Sequence, residues 1–132
     1  MVTPQDIVRS FCRIMYRRHV TDLGFERPET LDEMRELVTQ SGASVFFCAD
    51  APTDFAGVQI GSTVYVNASS FIPEWRKIRI CAHEWCHWLR RADANDEPLS
   101  LHLYPSDTHV SSDLEEIIAR EFELMFDIRF DP

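Results

Sequence analysis

The chain has 132 residues, a formal net charge of −9 and 45% hydrophobic content. That length fits a single domain over 1-132 with room for a real core, and the acidic balance argues against a general nucleic-acid binder, because no net positive field holds phosphates. No apolar run approaches the roughly 18 residues of a membrane span, and the first residues lack a basic segment followed by an apolar one, so neither a span nor a signal peptide is expected.

Thr3-Pro4-Gln5-Asp6 reads as a helix start: a capping threonine, a proline in the first turn and an acid at the positive end of the dipole. Ile7, Val8, Phe11, Cys12, Ile14 and Met15 form an apolar stripe to about His19. Arg13, Arg17, Arg18 and His19 make the far end basic, which suits a solvated helix C-terminus and places His19 at the surface. Residues 23–28 form a connector. Thr30-Leu31-Asp32-Glu33 is a capping box that opens a second helix, with Leu31, Met34, Leu37 and Val38 inward and an end near Gly42.

Residues 44–48 read as a strand and 51–54 as a turn. Residues 56–60 and 63–67 read as a hairpin around Gly61-Ser62, with Val64 and Val66 alternating against Tyr65. Pro73 starts a central helix that runs to about Arg91. Residues 91–98 are polar and form a loop, and 99–110 hold His102, Tyr104 and His109 among strand or irregular residues. Ser111-Ser112-Asp113 offers an N-cap for a last helix over 114–127. The whole is an α+β domain in which the central helix packs on a short sheet of three or so strands, flanked by N-terminal helices and a C-terminal one.

The central helix carries Ala82-His83-Glu84-Trp85-Cys86-His87-Trp88-Leu89, which contains His-Glu-x-x-His. Residues four apart share a helix face, so His83 and His87 can aim two imidazoles at one point. Zinc takes neutral imidazole nitrogens and keeps an open position in catalytic sites. Glu84 stands next to the first histidine, close enough to act as a base on a water held there. A shuffled chain of this composition yields the pattern about 0.02 times, so chance explains it poorly. The plainer reading is a pair of satisfied core histidines. Against it, the apolar flanks Ile78, Ile80, Cys81, Ala82, Trp85 and Leu89 mark a buried helix, where imidazoles and a carboxylate need partners that a metal supplies.

Four cysteines could pair, but Cys81 and Cys86 lie in this helix and Cys12 in the first apolar stripe. All four read as free thiols of a reducing cytoplasm. Cys86 adjoins His87 in sequence and so points away from the two imidazoles.

A catalytic zinc site usually has three protein ligands. The candidates are Glu115, Glu116, His102 and His109. The last helix should pack beside the central one and bring a glutamate of its first turns toward the histidines. With Ile118, Ala119, Phe122 and Phe126 as the buried face, Glu115 falls near its centre and Glu116 roughly 100° away at its edge, so periodicity alone favours Glu115.

The run Val64-Tyr65-Val66-Asn67, the basic stretch Arg76-Lys77-Ile78-Arg79, the motif helix and the later Glu116-Ile117-Ile118-Ala119-Arg120-Glu121-Phe122 together resemble the ImmA/IrrE-type metallopeptidases. The two N-terminal helices and the strand after Gly42 fit as well, so the likeness covers most of the chain. It implies zinc held by His83, His87 and Glu116, the last chosen by the Ala119 and Phe122 register, with Glu84 as catalytic glutamate. The chain departs from the family at Cys86, where glycine is common. It departs again at Arg120, where an aspartate or asparagine would orient a ligand from outside the first shell.

The function this implies is a cytoplasmic zinc endopeptidase that cleaves a separate helix-turn-helix transcriptional repressor in a stress or mobile-element response. It would not contact nucleic acid or membrane itself. Tyr104, His109 and His102 are candidates to stabilise the tetrahedral oxyanion. The two departures motivate an alternative, a zinc-binding interaction protein that keeps the peptidase scaffold and sequesters its partner.

Overall fold

The computed structural model describes residues 1–49, 55–91, 99–103, 108–109 and 113–129. The turn expected at 51–54, the loop at 92–98, Tyr104 and the N-cap at 111–112 lie outside them. Helix α1 (Pro4–His19) starts as its sequence dictates: the Thr3 hydroxyl accepts from Asp6 N–H, and the Asp6 carboxylate accepts from Thr3 N–H. Its stripe is narrower than expected. Cys12 and Met15 are buried, while Ile7 and Ile14 face out. His19 is half-buried rather than superficial, its ring edge-on to Trp85 at 6.3 Å.

Helix α2 (Leu31–Gln40) is capped by Thr30, whose side chain accepts from Glu33 N–H, but Glu33 closes the box one residue early, on Glu29 N–H. It buries Met34, Leu37 and Val38. Strands β1 (Ser44–Cys48), β2 (Phe55–Ile60) and β3 (Thr63–Asn67) follow. β2 and β3 form the hairpin, turning through Gly61 at φ 57, a left-handed backbone that glycine adopts without steric cost. β1 runs parallel to β3. Asn67 fastens the corner: its amide donates to Phe55 C=O, and its carbonyl accepts from the backbone and hydroxyl of Ser69.

Helix α3 (Glu74–Arg91) carries the motif, and every residue from 81 to 87 is buried. It lies against β2 and β3 and meets α2 and α4. Strands β4 (Leu99–Leu103) and β5 (Thr108–His109) enlarge the sheet to five, in the order β1-β3-β2-β4-β5, where three or so were expected. Helix α4 (Asp113–Leu124) ends three residues short of its apolar pattern. Met125, Phe126 and Asp127 N–H bond the carbonyls three residues back, so the chain tightens there into a closing turn.

One core joins Met34, Val64, Val66, Ile78, Trp85, Phe122 and Phe126. Trp85 stacks near Phe122 and Phe126, and its indole N–H donates to Ser41 Oγ at the end of α2. All four cysteines are free thiols. Among the described residues, no helix is long and apolar enough to cross a membrane.

Candidate metal centre

The site forms where α3 crosses α4. His83 and His87, one turn apart, present their rings at a centroid separation of 5.2 Å and an interplanar angle of 65°. Glu116 enters from the first turn of α4 and lies between them. Its Oε2 is 3.1 Å from His83 Nε2, and its Oε1 is 2.8 Å from His87 Nε2. All three side chains are buried, and their ligating atoms lie within 4.8 Å of one another. Of the glutamates weighed from sequence, Glu116 is the one placed here. Glu115 instead forms a two-armed pair with Arg90, at 2.9 and 3.2 Å. Periodicity misleads because it ranks positions on α4 alone, whereas what faces Glu115 on α3 is the Arg90 guanidinium. Of His102 and His109, only the backbone is described: they face each other as register partners of β4 and β5.

The cluster fits a divalent cation. Tetrahedral ligands at about 2.0–2.2 Å from an ion stand roughly 3.3 Å apart, close to the spacings of Glu116 from the two imidazoles. His87 Nε2 is buried and makes no hydrogen bond, although a carboxylate oxygen is 2.8 Å away. Two imidazoles and a carboxylate also form a donor set that zinc accepts.

The electrostatics point the same way. Burial opposes a charge on His83, but hydrogen bonds to Glu116 and Glu123 and the nearby charge of Glu84 outweigh it and raise its pKa to about 10. Three buried acids around one imidazole call for positive charge, which a proton or a metal ion can supply.

Glu84 is fully buried and faces strand β2. It can lie there because residue 57 is glycine. A Cβ at Gly57 would stand 2.6 Å from Ile80 Cγ2 and 3.2 Å from Glu84 Cγ, inside contact distance. The glycine inside a strand was a legible sign of close approach that sequence reasoning passed over.

Cys86, the departure between the histidines, sits in the core, where burial pushes its thiol pKa well up. It is a neutral packing residue turned away from the imidazoles. Sequence reasoning also missed Glu123, whose Oε1 lies 2.8 Å from His83 Nδ1, and Arg79, which holds the other oxygen of Glu123 at 2.8 Å. Asp127 receives Arg79 and Arg129, and its hydrogen bonds to Arg129 keep its carboxyl below the usual range despite burial. The signal for Glu123 was its spacing, two helical turns beyond Glu116.

No protein-family model, no curated protein and no solved structure matches this chain.

Proposed function

We propose that the chain is a zinc-dependent endopeptidase. The observation that carries this reading is the convergence of His83, His87 and Glu116, with Glu84 beside them on the same buried helix. His83, His87 and Glu116 would hold the ion. A bound zinc would supply a Lewis acid for the scissile carbonyl and an acidified water as nucleophile. Glu84 would serve as general base and then general acid, accepting a proton from the attacking water and returning it to the leaving amine.

The resemblance to ImmA/IrrE-type metallopeptidases supplies the substrate class: a helix-turn-helix repressor on a separate chain, cleaved in a stress or mobile-element response in the cytoplasm. Both departures from that family are accommodated by this chain. Cys86 packs into the core, and Glu123 supplies an acid at His83 Nδ1 although Arg120 is not one.

The test is incubation of the purified chain, loaded with zinc, with a helix-turn-helix repressor, beside Glu84→Gln. Wild type should cleave, and Glu84→Gln should keep its zinc while losing about 10²–10⁴-fold in rate. Equal cleavage by both, or cleavage by neither of any repressor supplied, rules the peptidase out. If neither cleaves but both bind the repressor, the chain is the non-proteolytic binding protein on the same scaffold.

A further inference from the structure

His83 has two ring nitrogens, and they face different acids. Nε2 points at Glu116, while Nδ1 lies 2.8 Å from Glu123 Oε1. The remaining Glu123 oxygen accepts from Arg79 Nε at 2.8 Å, and another nitrogen of Arg79 donates to Asp127 Oδ2 at 3.2 Å. The Glu123 side chain is only 6% exposed and that of Asp127 is fully buried, so these bonds are made in a sheltered setting. Helical spacing builds the arrangement. Arg79 precedes His83 by four residues on α3, and Glu123 follows Glu116 by seven on α4, about 20° short of two full turns. Each helix therefore shows one metal-facing group and one outer group on a single face.

An imidazole can carry its proton on either nitrogen, and the hydrogen bond made by one nitrogen decides what the other can do. A carboxylate fixed at Nδ1 keeps a proton there, so Nε2, which faces Glu116, is the nitrogen whose lone pair a metal ion would take in place of a proton. We propose that Glu123 is the positioning residue of the metal centre: it holds His83 in the tautomer and orientation that aim Nε2 at the cluster, and Arg79 holds Glu123 in turn. The inference rests on the metal reading above.

The test is zinc affinity by competition with a chromophoric chelator, on the full chain, for wild type, Glu123→Ala and Glu123→Gln. The tautomer of His83 in the zinc-loaded chain is read from its imidazole nitrogen shifts. Glu123→Ala should bind zinc about 10–100-fold more weakly and lose the fixed Nδ1–H tautomer. Glu123→Gln should also weaken binding, because one amide oxygen must serve two donors, His83 Nδ1–H and Arg79 Nε–H, while its NH₂ opposes one of them. A merely structural Glu123 would lower the melting temperature yet leave the zinc Kd and the His83 tautomer of the folded protein unchanged, and that result overturns the proposal. If Glu123→Ala does not fold, Glu123→Gln decides: a Kd within twofold of wild type overturns it. A wild type that takes up no zinc sinks the metal reading and this inference with it. Wild-type binding with unaltered variants sinks the inference alone.

Discussion

Glu115 and Glu116 are neighbours on α4, and both reach toward α3, but they meet different partners. Glu115 grips Arg90 with both oxygens in a pair whose side chains remain about a quarter exposed, 26% and 29%. Arg90 brings a permanent charge and lies over the Phe11 ring as well, 4.8 Å from its centre. Glu116 is buried between two imidazoles that carry charge only when they bind a proton. The first pair is complete in itself. The second is conditional, and its energy depends on what cation the solution provides. Adjacent acids on one helix thus separate a pairing that holds the fold from one that can be loaded.

The largest effect should come from emptying the conditional side. Glu116→Ala should weaken zinc binding by more than about 100-fold, since losing an outer-shell partner alone costs about 10–100-fold. In the wild type, zinc at 100 times its Kd should raise the unfolding free energy by about 2.7 kcal/mol, and the same addition should leave the Glu116→Ala melting curve unmoved. Chelator competition and thermal melts read both. If Glu116→Ala kept wild-type affinity, the two acids would be equivalent and the contrast would disappear.

Gly57→Ala should come next. Its methyl group would meet Ile80 and the stem of Glu84, and such overpacking costs about 1–3 kcal/mol. Denaturant unfolding should show that loss, with Glu84 displaced from β2 and zinc binding far less changed than in Glu116→Ala. The smallest effect belongs to Glu115→Ala: at most about 1 kcal/mol of stability, as for other partly exposed pairs, with zinc affinity within twofold of wild type. A Glu115→Ala chain that failed to bind zinc would reverse the assignment of the two glutamates.

Much of this arrangement was legible before any coordinates. Thr3 and Thr30 start helices because their hydroxyls accept from the N–H three residues on, a local rule that needs no tertiary knowledge. Gly61 turns the hairpin for an equally local reason. His83 and His87 share a face by helical spacing alone. What was not legible depends on how separate elements meet. What α3 presents opposite each position, not the periodicity of α4, gives Glu115 to Arg90 and Glu116 to the imidazoles. Ile7 and Ile14 look like core in the pattern of α1, but the surface that α4 offers is too narrow to cover them. Strand β4 pairs with β2 across the whole of α3, so its short sequence carried little sign of its partner. Glu123 and Arg79 lie 44 residues apart, and nothing in either neighbourhood announces the other.

That separation bears on when the cluster can exist. His83 and Glu116 are 33 residues apart, with β4 and β5 between them. A nascent chain halted before α4 carries both imidazoles but has no acid to set between them, and no Glu123 to turn His83. Assembly of the cluster must await synthesis and docking of α4, so the two imidazoles meet their acid only after strands β1 to β5 have been made.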